Sequence, residues 1–349
     1  MRTEKIFKGA VVGLGFIGAG DDVSGKAIGQ SVCNLDGTHA MAMDNNPHIN
    51  LVAGASRDKG RRDRFSQRFN GVRTYQDWRE LIFVEKPDIV SIATNTPYHV
   101  EIGITCAESG VKAILCEKPI ATKLSDADKL LDACKKNKTI LAVNHSRRWH
   151  GLWKMCKNEI KSGIIGEIHH ACAHWQTGRL GNMGTHIFDV LRMLLDVDPV
   201  AVSGTLDSLV YPDCRGQQYR DPGGWGIIAF SNDIRAFIDA PQSAKFPLVI
   251  SIVGSEGELR IHNNSARVNY WNGDIKEIPF VTDGKTSLDS AMEDIVNCLL
   301  YRGIPACTGE DGLMALEIII GFHVSSIAEG RWINLPICGE ERNLEVMIG

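Results

Sequence analysis

The chain has 349 residues, which is long for a single hydrophobic core, so we expect two domains. Apolar residues make up 44% of it and charged residues 23%, as is typical of a folded globular enzyme. The net charge of −4 argues against a nucleic-acid partner, because a surface that binds nucleic-acid phosphates is basic. No apolar stretch is long enough to span a membrane and no signal-peptide core follows the N-terminus. We therefore expect a cytoplasmic protein that has no membrane partner.

The ten cysteines are scattered along the chain, and none belongs to a Cys-x-x-Cys pair. Several lie inside apolar runs, where a thiol behaves as a small buried side chain. We predict reduced thiols rather than a disulfide framework, in agreement with a cytoplasmic location.

A glycine motif follows the first apolar run, which ends at Val12. In the order Gly-x-Gly-x-x-Gly, the first glycine permits a tight turn and the second lets the backbone approach a pyrophosphate. The third lets the next helix pack closely, and phosphate would bind the N–H groups at the start of that helix. We predict a dinucleotide site whose contacts in this motif are Gly13, Gly15, Phe16, Ile17 and Gly18.

The first 145 residues alternate between strand-like and helix-like segments. Continuous runs of Val, Ile, Leu and Ala, typical of strands buried on both faces of a parallel sheet, occupy 9–15, 50–56, 72–75, 88–94, 112–117 and 139–144. Amphipathic segments between them occupy 57–69, 77–83, 97–109 and a helix that ends at 136. Ser125 and Asp128 would open that last helix as a capping box. The alternation predicts a doubly wound α/β sheet over residues 1–145, the dinucleotide-binding domain.

From residue 146 onward, strand signals follow one another and the later ones alternate. Strands are predicted at 167–177, 201–207, 225–230, 233–240, 246–254, 258–262, 266–272 and 275–280. Asn272-Gly273-Asp274 is a hairpin signal, and helices are predicted at 148–161, 186–195, 287–300 and 312–328. Residues 146–349 are therefore expected to form an α+β domain on a large, mostly antiparallel sheet.

Two segments lie where strands of the predicted parallel sheet end. Cys116-Glu117-Lys118-Pro119 follows the fifth strand, and Asn95-Thr96-Pro97-Tyr98-His99 follows the fourth. Because ligands bind outside the carboxyl ends of parallel strands, we expect Lys118 at the nicotinamide rather than as an ordinary strand-end lysine. The end of the sixth strand adds three candidates at the rim of the crevice, Asn144, His145 and Arg148.

The chain resembles the Gfo/Idh/MocA oxidoreductases, the group of glucose-fructose oxidoreductase and inositol dehydrogenase, over nearly its whole length. The resemblance rests on the glycine motif, on Thr96-Pro97 with His99, on Glu117-Lys118-Pro119, on Gly184-Thr185-His186-Ile187-Phe188-Asp189 and on segments 253–257 and 309–312. It implies an N-terminal Rossmann domain, a C-terminal open-faced sheet and NAD- or NADP-dependent redox at a carbinol of a sugar, a sugar derivative or a cyclitol. It also implies a homodimer or homotetramer formed through that sheet.

Matched residue by residue, Lys118 corresponds to the family's active-site lysine and His186 to its active-site histidine. Oxidation of a secondary alcohol needs a base for the hydroxyl proton, and histidine exchanges protons near neutral pH. Spacing alone would equally suit a core histidine at the start of an apolar helix, and the resemblance favours the catalytic role. The other contacts expected for the cofactor are Thr94, Asn95, Thr96, Pro97, His99, Glu117 and Asn144, and for the substrate Asn182, Arg148 and Asp189.

The chain departs from the family pattern at Asn182, where an aspartate is common four residues before the histidine. An amide can bind a substrate hydroxyl but cannot accept a proton, so we expect His186 to be the main acid and base. Asp189, one turn further on, is expected either to touch substrate or to orient the helix through hydrogen bonds.

A second departure concerns the ribose. An acidic residue is expected at the end of the second strand for NAD, but this chain has Ser56-Arg57, followed by Arg61 and Arg62. Serine and arginine suit a 2′-phosphate that a carboxylate would repel, so we favour NADP over NAD. The alternative is that these arginines form a solvated helix face, which we expect for at least Arg62.

The third departure is an insert at residues 19–38, because Ser56 lies 38 residues after Gly18 instead of about 20. Long loops without secondary structure inside compact domains are usually functional or disordered. We expect either a flap over the cofactor or substrate, or a plain surface excursion.

His170, Cys172 and His174 alternate and so share one face of a predicted strand. A metal site shared with His186 is one alternative, but the spacing matches no recognised zinc pattern. We therefore predict no metal, and expect His174, Trp175 and Gln176 to bind substrate, with the indole as a sugar platform.

The sequence favours a dehydrogenase or reductase of a hydroxyl-rich small molecule. Two alternatives remain open at this stage. One is an enzyme that holds NAD tightly and recycles it during glycoside cleavage or epimerisation, and the other is a regulatory protein that binds nucleotide without catalysis.

Overall fold

The computed structural model describes residues 5–210, 213, 216–243, 246–262 and 264–348. The chain divides into two compact units. The first contains Met1–Ala121, Asp126–Trp149 and Gly284–Gly312, and the second contains Thr122–Ser125, His150–Asp283 and Leu313–Gly349. The first unit thus includes a late segment, Gly284–Gly312, which lies far beyond residue 145 in the sequence.

The strands are, in chain order, β1 Phe7–Val12, β2 Ile49–Ala55, β3 Arg73–Tyr75, β4 Ile89–Ile92, β5 Ala113–Cys116, β6 Ile140–Val143, β7 Ile168–His174, β8 Pro199–Leu206, β9 Gly224–Phe230, β10 Arg235–Ala240, β11 Val249–Gly254, β12 Gly257–His262, β13 Ser265–Tyr270, β14 Ile275–Ile278 and β15 Ile333–Asn334. The helices are α1 Phe16–Ala19, α2 Asp22–Ala27, α3 His39–Asp44, α4 Lys59–Arg68, α5 Trp78–Glu85, α6 His99–Glu108, α7 Leu124–Asn137, α8 Gly151–Lys161, α9 Gly184–Leu195, α10 Ser287–Tyr301 and α11 Gly309–Ile327.

The first unit is built on a six-stranded sheet in the order β3-β2-β1-β4-β5-β6. Every neighbouring pair in it is parallel. β4 and β5 are buried along their whole length, as expected for strands covered on both faces. The prediction of a doubly wound α/β sheet is confirmed, and the observed strand order is the one typical of dinucleotide-binding domains.

One helix start in this part of the chain was predicted wrongly. The helix expected after a capping box at Ser125 already begins at Leu124, so Ser125 lies inside its first turn. Leu124 is fully buried, so this first turn packs against the core, a tertiary contact that the local box pattern does not include.

The second unit is built on a nine-stranded sheet in the order β14-β13-β12-β11-β7-β10-β9-β8-β15. Only β7 and β10 pair in parallel among its described strands. The predicted hairpin between β13 and β14 is present: Gly273 has a φ of 97°, and the Tyr270 N–H donates to the Asp274 carbonyl at 2.9 Å. The large, mostly antiparallel sheet is confirmed.

One face of this sheet is covered by helices and the other is open. Phe322 of α11 packs directly against Gly204 and Gly226, leaving no room for a side chain at either position. Phe322 also stacks on Phe188 of α9, with ring centroids 5.7 Å apart. On the opposite face, β9 and β10 carry exposed residues that include Trp225 and Phe237.

None of the helices in the described ranges is both long enough and apolar enough to cross a membrane.

Candidate active-site residues

The glycine motif forms a tight loop after β1 that only glycine can form. Gly13 has a φ of +104°, and a Cβ on it would lie 2.3 Å from the Ala93 carbonyl oxygen. A Cβ on Gly18 would lie 1.8 Å from the Gly13 carbonyl oxygen. At Gly15, the Arg61 side chain is the one group of the described residues, apart from the adjoining backbone, within 4 Å of the added atom. The loop therefore keeps its middle glycine open to a phosphate group, and the residues fit the diphosphate of a dinucleotide.

The helix after this loop is interrupted. α1 ends after one turn at Gly20, whose φ is 66°, and the crossover to β2 resumes only with α3, which Thr38 caps through its side chain. The insert is not the structureless loop that was expected, because it folds into α2 and a 3-10 turn at Val32–Asn34. Phe16 of the loop is buried against Gly25 of the insert.

Lys118 follows β5 at the carboxyl edge of the same sheet, and its neighbour Glu117 is held by three donors. Glu117 Oε1 lies 2.9 Å from His39 Nε2 and 2.6 Å from Asn144 Nδ2. Glu117 Oε2 accepts the Lys118 backbone N–H at 3.2 Å. His39 Nδ1 lies 3.1 Å from Ser91 Oγ, and His39 is fully buried. The segment that carries Lys118 is thus fixed from behind by a buried polar network.

The charge state of Glu117 follows from these contacts. Burial by itself would raise the pKa of this carboxyl group and is the largest single influence, but the hydrogen bonds from His39 and Asn144 and the charges of His39 and Lys118 together outweigh it. The pKa falls to about 2. Because an ionised carboxylate can only accept hydrogen bonds, His39 Nε2 must carry the hydrogen that it shares with Glu117.

The loop after β4 brings several predicted cofactor contacts to the same edge. Thr94 and Pro97 are partly exposed, Asn95 is exposed, and Thr96 is buried at the start of a 3-10 turn, Thr96–Tyr98. These backbone positions flank the glycine loop because β4 is the neighbour of β1 in the sheet.

His99 does not reach the crevice. Its ring is fully buried, with Nδ1 2.9 Å from the Pro119 carbonyl and Nε2 3.0 Å from the Thr94 carbonyl. Burial lowers the pKa of this imidazole. The predicted direct contact of His99 with the cofactor is wrong in this structure, because both ring nitrogens face backbone carbonyls and join the loop after β4 to the turn after Lys118.

The end of β2 carries the predicted ribose contacts. The guanidinium of Arg57 lies over the ring of Tyr98, 5.4 Å from its centroid. Ser56 stands at the strand end, and its Oγ accepts the Asp58 N–H at 3.3 Å. Arg62 donates to the Ser56 and Arg57 carbonyls at 2.6 and 3.0 Å, so it braces this turn instead of forming a merely solvated face.

Arg148 and Asn144 come from the segment after β6. Arg148 donates to Asp311 Oδ1 at 3.0 Å and to the Ala306 carbonyl at 3.1 Å, so it ties this segment to the late part of the first unit. Asn144 is buried against Glu117, as described above. Direct substrate binding by Arg148 stays a prediction.

In the second unit, the segment before α9 is anchored by one carboxylate. Asp221 Oδ1 accepts the Gly181 N–H at 2.6 Å, and its Oδ2 accepts the Asn182 N–H at 2.7 Å. Ile348, fully buried near the end of the chain, packs against Gly181. Asn182 is half-buried, and the same anchored backbone leads directly into the helix that carries His186 and the fully buried Asp189.

The turn between β7 and this segment has an unusual backbone. Thr177, Gly178 and Arg179 have φ values of 67°, 58° and 59°, all left-handed. Thr177 and Arg179 are strained there, and such strain persists only where the surroundings enforce it. Trp175 contributes to holding this turn, because its Nε1 donates to the Gly178 carbonyl at 2.8 Å, and the Gly178 N–H donates to the Pro241 carbonyl at 3.2 Å.

Trp175 is therefore not the exposed sugar platform that was predicted. Only 2% of it is exposed, and its ring packs edge-on against Phe188 at 6.3 Å. The Trp175 indole packs inward because α9 supplies Phe188 as an aromatic partner, which the local sequence does not reveal. Gln176, the next residue, is exposed and stays a predicted substrate contact.

His170, Cys172 and His174 share one face of β7, as predicted, but it is the open face of the sheet. Their register partners Arg235, Phe237 and Asp239 are exposed, whereas the opposite face, with Ala171 and Ala173, is the helix-covered one. His186 belongs to α9, which stacks on that covered face through Phe188. His174 therefore cannot share a substrate or metal site with His186, and its ring contacts Phe246 at 5.2 Å.

Three residues of these networks were not singled out from the sequence. His39 follows the insert, Asp221 lies in a loop far from α9, and Tyr98 had been noted only as part of its segment. For His39, the Thr-His start of an apolar run after the insert was the available signal. For Asp221 there was none, because its partners are about 40 residues away in the chain.

A glycine loop on a doubly wound sheet, with a lysine held at the carboxyl edge beside it, defines an NAD(P)-binding oxidoreductase of the Rossmann class. Comparison with family models narrows this class. The model described as "Oxidoreductase family, NAD-binding Rossmann fold" matches residues 7–145, and the one described as "GFO/IDH/MocA C-terminal domain" matches residues 173–260. The chain belongs to the Gfo/Idh/MocA family of NAD(P)-dependent oxidoreductases.

Relatives with named activities are similar over most of the chain. D-xylose 1-dehydrogenase [NADP(+)] of Haloarcula marismortui is 26% identical over 73% of this chain and 77% of its own length. Myo-inositol 2-dehydrogenase of Thermotoga maritima is 25% identical over 75% of this chain and 84% of its own length. The relatives with named activities thus include oxidoreductases of sugars and cyclitols.

Among solved structures, a levoglucosan dehydrogenase in complex with NADH and levoglucosan has a TM-score of 0.79 to this chain. The match covers 95% of this chain and all of that one, at 20% identity. At this identity the match supports the fold.

Proposed function

We propose that this protein interconverts a secondary alcohol and a ketone on a sugar, a sugar derivative or a cyclitol, with a preference for NADP. The observation that carries the proposal is the fixed position of Lys118 after β5, behind which Glu117 is held by His39 and Asn144. This network fixes the backbone of Lys118 at the sheet edge where ligands of this fold bind, which supports a role for its ammonium group there. The family's sugar and cyclitol relatives support the substrate class.

When bound, the nicotinamide accepts a hydride from the carbinol carbon in oxidation and returns it in reduction. The residues of this chain have to handle the proton. As the C–O bond becomes a carbonyl, the hydroxyl proton leaves, and we assign its removal to His186, since imidazole exchanges protons near neutral pH. We assign to the Lys118 ammonium a hydrogen bond to the same oxygen, which stabilises negative charge there in either direction.

Asn182 has a different task because an amide cannot accept the proton. We assign to it a hydrogen bond with a substrate hydroxyl, given from a backbone that Asp221 and Ile348 keep in place. This division leaves His186 as the proton acceptor of this segment.

The charges near Asn182 favour a neutral substrate over a sugar acid. Arg179 lies 3.5 Å from the carboxylate of Asp213 and 3.9 Å from that of Asp221. Its positive charge is therefore balanced before any ligand binds, so an anionic substrate gains little from it. A polyol, which presents only hydroxyl groups, suits the amide and carbonyl groups of this turn.

The preference for NADP rests on Ser56 and Arg57 at the end of β2. A carboxylate at this place would bind the ribose hydroxyls of NAD and repel a 2′-phosphate, whereas serine and arginine can bind that phosphate. Arg57 already lies over Tyr98, which keeps its guanidinium at the strand ends.

We also propose that the open face of the nine-stranded sheet joins two copies of this chain. Trp225 and Phe237 are 59% and 42% exposed on it, and exposed apolar side chains that share one face are typical of association surfaces. Trp225→Arg should convert the oligomer to a smaller species in size-exclusion chromatography with light scattering. Tyr301→Arg, which changes a residue that is 77% exposed in the other unit, should leave the oligomer intact.

The test of the function is a panel of neutral sugars and cyclitols, each with NADP and with NAD, followed at the nicotinamide absorbance. Net reduction with at least one polyol, faster with NADP, is the expected result. No net change with any polyol or the corresponding ketone would refute a dehydrogenase. If the nicotinamide cofactor also co-purified with the protein and stayed bound through gel filtration, an enzyme that holds and recycles its NAD would replace the dehydrogenase as the proposed function.

A further inference from the structure

The insert at residues 19–38 is attached to α4 by arginine side chains. Asp21, which is 7% exposed, accepts from Arg64 Nε at 2.6 Å and from Arg64 Nη2 at 3.1 Å. Arg68 Nη1 donates to the Ala19 and Gly20 carbonyls at 2.9 Å each. Each of the two arginines thus makes two hydrogen bonds to the start of the insert, which is therefore held against α4.

The far end of the insert is attached to the late part of the same unit. Asp36 Oδ1 accepts the Ser287 N–H at 3.0 Å at the start of α10. A Cβ on Gly37 would lie 2.4 Å from Thr286 Oγ1, so the backbone is in close contact there. Side-chain anchors at both ends of the insert favour a fixed structural part over a flap.

The arginines of α4 do not all share the same environment. Arg62, Arg64 and Arg68 each donate hydrogen bonds to protein oxygens. Arg61 is different: over the part of the chain that the structure describes, its side chain has only a 3.9 Å contact from Nε to Asp21 Oδ2. That carboxylate is already bonded to Arg64 and to the Ser24 N–H. Arg61 therefore keeps donors and positive charge available for a ligand.

The guanidinium of Arg61 lies beside the middle glycine of the motif. A Cβ on Gly15 would lie 3.7 Å from Arg61 Nη1, and among the described residues no group other than Arg61 and the adjoining backbone lies within 4 Å of it. The middle glycine of this motif is where the backbone approaches a dinucleotide diphosphate. A guanidinium matches two phosphate oxygens with two parallel N–H groups.

We propose that Arg61 binds the diphosphate of the cofactor, and that the insert, through Asp21, holds its guanidinium beside Gly15. This inference rests on the dinucleotide cofactor of the family and is independent of the sugar chemistry proposed above. It gives the insert a task, which is to orient a diphosphate-binding arginine.

A 2′-phosphate is the other anionic group of NADP, and it belongs at a different place. It would sit at the end of β2, at Ser56 and Arg57, and not at the middle glycine. The diphosphate is common to NADP and NAD, whereas the 2′-phosphate is not. Loss of Arg61 must therefore weaken binding of both cofactors to a similar extent, while loss of Arg57 must weaken NADPH selectively.

The experiment titrates the full-length protein with NADPH and with NADH by isothermal calorimetry, without any sugar. Arg61→Ala should weaken both cofactors about tenfold or more, the loss of one hydrogen bond to a charged group. Arg61→Lys should recover part of the loss, because it keeps the charge but not the paired donors. Arg79→Ala, which removes a half-exposed arginine paired with Asp77, should change binding by no more than about twofold.

Thermal unfolding of each variant confirms that it is folded before the titration. Unchanged affinity of Arg61→Ala for both cofactors would overturn the proposal. A loss confined to NADPH would also overturn it, since Arg61 would then serve the 2′-phosphate. If the unaltered protein bound neither cofactor, the cofactor assignment itself would fail, whereas binding without turnover of any polyol would count against the proposed reaction only.

Discussion

His39 Nε2 lies 2.9 Å from Glu117 Oε1, and the histidine is completely buried. The two residues are far apart in sequence: His39 is the first residue of α3, immediately after the insert, and Glu117 immediately precedes Lys118. The first residue after the insert therefore supports the neighbour of the proposed catalytic lysine. This pair links the unusual part of the crossover helix to the edge of the sheet at which the chemistry is proposed.

The first prediction concerns the stability that this pair provides. His39→Ala removes the donor from a buried carboxylate and leaves a cavity, so we expect the free energy of unfolding to fall by about 2–4 kcal/mol. His39→Gln keeps an N–H donor of similar reach and should lose clearly less. Urea denaturation followed by tryptophan fluorescence measures both, and equal losses in the two variants would show that Glu117 does not depend on the donor.

The second prediction is the pH dependence of Glu117. Its pKa is about 2 in the folded chain against an ordinary value of 4.5, so the ionised form stabilises the fold. That stabilisation is complete above pH 4.5 and is lost as the pH falls toward 2. Glu117→Gln lacks it, so its stability deficit relative to the unaltered protein should be smaller at pH 3 than at pH 7, by about 2 kcal/mol. A deficit that stays constant between these pH values would contradict the ionised, hydrogen-bonded carboxylate.

The third prediction addresses the choice of cofactor. Ser56→Asp places a carboxylate at the end of β2, where it repels a 2′-phosphate and can bind the ribose hydroxyls of NAD. Affinity for NADPH should fall about tenfold or more, while affinity for NADH should be kept or improved. Ser56→Asn has the same shape without the charge and is the matched control. A clear preference of the unaltered protein for NADH would refute the preference for NADP directly.

The fourth prediction concerns Asp221, which accepts the N–H groups of Gly181 and Asn182. Asp221→Ala leaves the buried Gly181 N–H and the partly buried Asn182 N–H without this acceptor, so we expect a loss of about 2–3 kcal/mol in unfolding free energy. The KM of the polyol should rise as well, because the Asn182 backbone loses its anchor. Asp221→Asn keeps one acceptor oxygen, so its stability and KM should lie between those of the unaltered protein and those of Asp221→Ala. A KM unchanged in both variants would show that the anchor does not affect substrate binding.

The sequence was informative where structure depends on local pattern. The glycine motif and the apolar strands predicted the parallel sheet, because close backbone approach and burial on both faces restrict residue type locally. The placement of Trp175 and His174 could not be predicted, because it depends on which face of β7 the helices cover. The contacts of His39 with Glu117 and of Asp221 with Asn182 join distant segments, and no local spacing encodes them.

The fifth prediction separates the two proposed catalytic groups. His186→Ala should lower kcat about 100-fold or more with little effect on NADPH affinity, as expected for loss of a general base. Lys118→Met should lower kcat as well, because it removes the hydrogen bond to the reacting oxygen. Steady-state kinetics with the best polyol of the panel measure both. Near-normal turnover by His186→Ala would refute its assignment as the base.

The central claim is hydride transfer between a polyol carbinol and the nicotinamide, and isotope transfer tests it most directly. The best polyol, with deuterium on the reacting carbinol carbon, is incubated with NADP and the enzyme, and the nucleotide is analysed by mass spectrometry. The account predicts reduced nucleotide that carries one deuterium, in amounts that match the ketone formed, and almost none with His186→Ala. Ketone formed without deuterium in the nucleotide, or no ketone from any polyol of the panel, would contradict it.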